Sequence, residues 1–122
     1  MNERTIIRVN HMWTWENIHD FFSDMESQAR FENYQNHARE MLNLVGQIQS
    51  TSELGEIEPF LTLGALCLFH PKSEQTIALY IDRPGYCRVT QHKNRNVMDA
   101  EYEEYVPTNE VIQILKKHFS NR

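Results

Sequence analysis

Residues 60–92, FLTLGALCLFHPKSEQTIALYIDRPGYCRVTQH, limit the fold more than any other stretch. Three runs of strand-forming residues, 60–69, 76–82 and 86–92, are separated by His70-Pro71-Lys72-Ser73 and Arg83-Pro84-Gly85, both rich in turn formers. The spacing predicts an antiparallel meander. Its first run is apolar on both parities: Leu61, Leu63, Ala65, Cys67 and Phe69 on one, Phe60, Leu66 and Leu68 on the other. That pattern predicts one central strand over 60–69, covered on both faces, with Gly64 as relief inside it. If the two turns centre near Lys72 and Pro84, Cys67 faces Ala78 and Cys87 faces Ile81. The two thiols then point to opposite faces, and no disulfide joins them. Free thiols suit a reducing compartment.

The rest of the chain reads as helix or polar rim. Thr14 suits an N-cap, after which Trp15, Ile18, Phe22 and Met25 recur on one helical face. From about residue 27 to 49, Phe31, Tyr34, Ala38, Met41, Val45 and Ile48 form a second stripe. A single helix of about 35 residues would be about 50 Å long, too long for a domain of this size, so two helices are expected. Residues 49–58 form a polar break, and Thr5 opens a β-branched TIIRV run suited to an opening or edge strand. Residues 93–98 read as a loop, and 99–106 as a fourth strand with acids outward or an ordered acidic loop. Pro107 and a Thr108 N-cap precede a final helix over 109–119, with Val111, Ile112, Leu115 and Phe119 on its apolar stripe. Lys116, Lys117 and His118 complement the dipole of its last turn. The expectation is a single α+β domain over 1–122. In it, an antiparallel meander of three to five strands packs against N-terminal helices and a C-terminal helix.

Seventeen acids against twelve bases give a formal charge of −5. That disfavours nucleic-acid binding, which needs a basic stripe, and favours a basic partner. The opening MNERTIIRVNHMW lacks an apolar core of signal-peptide length, and no run approaches the roughly 20 apolar residues of a membrane span. A cytoplasmic protein without membrane association is expected. The six histidines show no i, i+4 pair and read as solvent-facing or singly hydrogen-bonded, so no metal is expected. Cys67 lies in the most apolar run, and Cys87, though near Arg83 and Arg88, has no histidine placed beside it. The four glycines write no phosphate-binding loop. With no catalytic or cofactor motif, the chain is expected to be no enzyme. A metal-dependent nuclease would need the acids of 99–104 to converge on an ion, and no Lys or His supports them at recognisable spacing.

Two segments suit contact with a partner. Asp99, Glu101, Glu103 and Glu104 interleave with Tyr102 and Tyr105. The carboxylates would steer a basic partner and the tyrosines supply contact area, unless the run is simply an edge strand blunted by charge. Arg83 and Tyr86 flank Pro84-Gly85, a rigid turn presenting hot-spot chemistry or only a well-made hairpin.

The C-terminal half, LCLFHP, TIALYIDRPGY, CRVTQHK, the acidic–tyrosine segment and YVPTNEVIQILKKHF in that order, resembles small immunity proteins of bacterial polymorphic-toxin systems. The likeness is to a family that neutralises secreted nuclease or deaminase toxins. The resemblance implies an α+β domain of meander, return strand and closing helix that binds a cognate toxin and occludes its active site. It carries over no site residue. The alternative is a small regulatory module that binds a ligand or protein through the groove between helices and sheet, alone or as a homo-oligomer.

Overall fold

The computed structural model describes residues 13–97 and 99–120. The strand expected at 5–9 lies outside the described residues. Two N-terminal helices, α1 (Trp15–Gln28) and α2 (Glu32–Gln49), precede five strands: β1 (Glu58–Thr62), β2 (Ala65–His70), β3 (Gln75–Arg83), β4 (Tyr86–Lys93) and β5 (Tyr102–Pro107). A 3-10 turn, Thr108–Glu110, leads into α3 (Val111–Ser120). The strands form one antiparallel sheet in the order β1-β2-β3-β4-β5. The class is α+β, as the sequence pattern implies.

Local chemistry sets the helix boundaries. Thr14 caps α1 reciprocally: its Oγ1 accepts from the Asn17 amide at 3.1 Å, and its own amide donates to Asn17 Oδ1 at 2.8 Å. The break between α1 and α2 comes where Ala29 and Phe31 take extended backbone. Gln35 secures it by donating from Nε2 to the Ala29 carbonyl at 3.0 Å. The polar 49–58 segment is more than rim, because its Leu54 and Ile57 are buried in the core.

The run at 60–69 is two strands rather than one. Thr62 pairs with Ala65, and the residues between them, Leu63 and Gly64, have φ of 51° and 84°. Two successive left-handed residues make the tight turn that a twisted hairpin favours. The apolar pattern hides this turn because Leu63 looks like core yet is 95% exposed. Gly64 is therefore a turn residue, and the meander gains a fifth strand.

A single apolar core lies on one face of the sheet. Leu66, Leu79 and Val89 stand in register there, joined by Leu68, Ile77 and Val106. Ile18 and Phe22 of α1, Met41, Val45 and Ile48 of α2, and Val111, Leu115 and Phe119 of α3 close over them. Each such side chain removed from water stabilises the fold by about 1.5–3 kcal/mol. Cys87 shares this face with Val89, whereas Cys67, opposite Ala78, lies on the other. Both thiols are free and buried.

Two histidines depart from the expectation of solvent-facing or singly hydrogen-bonded rings. His70 and His92 are buried, each with two hydrogen-bond partner atoms. The His70 ring stacks on Phe119 at 5.4 Å and accepts the Ser73 amide at Nδ1, which closes the β2–β3 turn.

The end of β5 also differs from expectation. Thr108 does not cap the last helix. Its amide donates to the Gly85 carbonyl at 2.9 Å, fastening the start of the C-terminal segment to the β3–β4 turn.

Candidate functional site

The described helices close over the core face of the sheet, and His37 of α2 reaches the second face, its ring 5.1 Å from that of Tyr80. This face carries the exposed Tyr86 and Tyr105 together with Arg83 and Arg88. Strand register assigns them. Phe60, Cys67, Ala78, Thr90 and Glu103 form one row across five strands. Tyr80, Arg88 and Tyr105 form the next, and Arg83 and Tyr86 lie beyond the bulge at the end of β3. The Arg83 guanidinium sits 4.7 Å above the Tyr86 ring, and that of Arg88 lies 5.8 Å from the Tyr80 ring. Tyr86 and Tyr105 are exposed, whereas Tyr80 and Arg88 are half-buried and so held by their neighbours.

The middle of this face is hollow because its central row is small. Ala78 and Thr90 floor a trough of about 470 Å³, walled by Tyr80 and Arg88 on one side and by Val97 and Ala100 on the other. The second wall belongs to the segment joining β4 to β5. Arg95 draws it across the end of the sheet, with its guanidinium 4.0 Å above the Phe69 ring and paired to Glu58. His92 fixes the far end. Its Nδ1 lies 3.1 Å from the Asp99 carbonyl oxygen, which can only accept, so Nδ1 donates, and Nε2 lies 2.8 Å from the Thr90 hydroxyl. Leu63 projects beside the trough from the β1–β2 turn.

The expected contact residues are divided by strand parity. Glu101, Glu103, Arg83 and Tyr86 lie on the open face or its margin. Tyr102 and Glu104 point to the helix side, where the Tyr102 ring lies 6.2 Å from His118. A hydrogen bond to Glu104 holds the Tyr102 phenol above its ordinary pKa. Asp99 lies in a bend before β5, with its carbonyl taken by His92. The acids are not outward-facing bare charges. Glu101 lies 3.8 Å from the Lys93 ammonium and Glu103 3.8 Å from the Arg88 guanidinium. Pairs this exposed contribute at most about 1 kcal/mol each, but they cancel local charge. The segment is a mixed-charge strip rather than an acidic plug. Along β4 its paired length, from Tyr86 to Gln91, spans five residue steps of strand, or about 17 Å.

The turn itself is rigidly seated. Gly85 has φ of 81°, its amide donates to Glu40 Oε1 of α2 at 3.1 Å, and its carbonyl accepts from Thr108. Proline at the preceding position fixes the approach. Sequence reasoning missed Tyr80 and Arg88, which read as ordinary strand residues. Pairing β3 against β4 through the Pro84-Gly85 turn would have placed them side by side.

No known protein family, curated protein or solved structure matches this chain.

The buried thiols are poor nucleophiles. Desolvation pushes Cys67 from an ordinary 9.0 up to about 12, and pushes Cys87 likewise to about 12, the latter against a lowering hydrogen bond from the Tyr80 backbone. Among the described residues, no group of three or more His, Cys, Asp or Glu side chains is placed to hold a metal ion. No described helix is long and apolar enough to cross a membrane. The geometry suits surface recognition: aromatic area on rigid strands, guanidinium groups beside it, and a shallow trough.

Proposed function

We propose that this chain is a non-catalytic binding protein of the immunity or inhibitor type, which neutralises a toxin domain by covering its active site. The observation that carries the reading is the clustering of Tyr80, Tyr86 and Tyr105 with Arg83 and Arg88 on the sheet face opposite the helical core. Tyrosine and arginine are the residues that dominate binding energy at protein interfaces. Strands present them with little conformational freedom left to lose. A strip about 17 Å long suits one side of a standard interface of about 800 Å² per partner. The net charge of −5 would steer a basic nuclease or deaminase domain from a distance, while the local acids hold Arg88 and Lys93 in place.

The size of the helix–sheet cavity bears on the alternative, a regulatory module with a small ligand in its groove. That cavity, between α2 and the end of β3, measures about 160 Å³. Ligand pockets usually measure about 300–1,000 Å³. The groove suits a side chain better than a whole ligand.

The test is co-expression with each secreted-toxin domain found encoded next to this chain, scored by survival of the host cell and by co-purification. The proposal predicts protection and a stoichiometric complex. Failure to protect, with the protein recovered alone, would overturn it.

A further inference from the structure

The cavity between α2 and the β3–β4 turn has a chemistry distinct from the open sheet face. Its walls are the phenol rings of Tyr34 and Tyr80, the imidazole of His37, and the carboxylate-bearing side chains of Glu40 and Asp82. The fold creates the gap in an identifiable way. A bulge sets Ile81 and Asp82 together against Cys87, and the displaced Ile81 carbonyl accepts from His37 Nδ1 at 2.6 Å. Three residues further along α2, Glu40 takes the Gly85 amide. These two bonds fasten the helix to the strand end at separate points and leave a space of about 160 Å³ beside them.

The lining selects for positive charge. Glu40 commits Oε1 to Gly85, while Oε2 has no hydrogen-bond partner among the described residues. Asp82 is exposed and forms no ion pair among the described residues. Arg83 also lines the pocket, but its guanidinium stacks on the ring of Tyr86, which does not, and it forms no ion pair with Glu40 or Asp82 among the described residues. Aromatic faces next to carboxylates attract a cation, and a guanidinium gains most because it is planar, weakly hydrated and able to bridge carboxylate oxygens. The rim carries a second sign of contact. Phe31 and Tyr34 are 63% and 55% exposed and meet edge to face at 6.0 Å, an aromatic pair left in water beside the opening.

We propose that this pocket receives one arginine side chain of a protein partner, held between the tyrosine rings and the Glu40 and Asp82 carboxylates. The proposal rests on the binding-protein reading above and adds a second anchor point to it, on the helix side of the Pro84-Gly85 turn. It also supplies a local reason for a basic partner, which the paired acids of β5 do not.

The test uses the full chain, isotope-labelled and titrated with N-acetyl-arginine methylamide, and in parallel with the neutral citrulline and the lysine analogues. The expected result is saturable shifts confined to 33–40 and 80–85, with the citrulline analogue at least tenfold weaker and the lysine analogue several-fold weaker. Glu40→Gln keeps an oxygen acceptor for the Gly85 amide, so a Glu40→Gln/Asp82→Asn double variant retains the fold. Its dispersed amide spectrum checks this, and its arginine affinity falls at least tenfold. Tyr34→Ala, on the exposed rim, weakens binding several-fold. Equal binding of the citrulline analogue, shifts scattered over the surface, or full affinity in the double variant would each overturn the assignment. A toxin complex that forms with undiminished affinity in the double variant would remove the pocket while leaving the binding function standing. Arginine binding without any toxin complex would do the reverse.

Discussion

The same chemical change, glycine to alanine, should act with opposite sign at three positions of this chain. Gly46 lies inside α2, and a methyl group there meets nothing within 4 Å. Alanine is better than glycine in a helix by about 1 kcal/mol, so Gly46→Ala should stabilise by about that amount. Gly64 and Gly85 sit at φ of 84° and 81°. Space does not limit either: a methyl on Gly64 would touch Tyr80 Cε1 at an ordinary 3.8 Å, and one on Gly85 would touch nothing. The cost is conformational, about 1–2 kcal/mol for an L-residue in the left-handed region. Loss of freedom in the unfolded chain offsets about 0.4–1 kcal/mol of it. The net effect is a loss of about 1 kcal/mol for Gly64→Ala and for Gly85→Ala. In a domain of this size 1 kcal/mol moves Tm by about 4 °C, so the helix variant and either turn variant should melt about 8 °C apart. Calorimetry together with urea unfolding at constant m-value measures this. A neutral Gly64→Ala would refute the assignment of the 60–69 run to two strands joined at a left-handed turn, and a destabilised Gly46→Ala would refute the open helical setting of residue 46.

Further expectations follow from the same structure. Leu63→Asn should stabilise by about 0.5–1 kcal/mol in urea unfolding, because Asn tolerates the left-handed backbone and removes an exposed apolar side chain. The thiols of Cys67 and Cys87, raised to about 12 in the fold, give stability that is fully present below pH 9 and lost as pH rises towards 12. The urea midpoint should therefore fall between pH 8 and 10.5, and less steeply in Cys67→Ala. Replacing Glu101 and Glu103 with Lys sets like charges against Lys93 and Arg88 and should lower Tm by a few degrees at low ionic strength. About 0.5 M salt should restore most of that loss, whereas a salt-independent loss would mean the pairs are not the cause.

The large elements of this fold were legible because each rests on one local rule. The Thr14 N-cap, the 3.6-residue stripe of α1, that of α2 from Ala38 to Ile48 (Phe31 and Tyr34, expected on it, are exposed), and the Pro84-Gly85 turn are all written in adjacent residues. The Leu63-Gly64 turn was not legible, because a leucine placed in water at φ 51° has the same letter as a leucine in the core. Thr108 looked like a cap because the Gly85 carbonyl that claims its amide is 23 residues away in sequence. The proposed contact face was legible in residue type alone, for the same reason. Residue type pointed to Arg83, Tyr86 and the acids of 99–104. Only register revealed that Tyr102 and Glu104 face away, that Arg88 and Lys93 neutralise Glu103 and Glu101, and that Tyr80 and Arg88 stand beside Tyr105.

The central claim is that the tyrosine–arginine face of the sheet binds the toxin domain. The most direct measurement is the dissociation constant of that complex for Arg88→Ala and Tyr86→Ala, against a control on α3, Lys117→Ala. Hot-spot side chains contribute about 2 kcal/mol or more, so each face variant should bind about 30-fold more weakly with the control unchanged. Equal affinity across all three variants would contradict the claim and move the interface off this face.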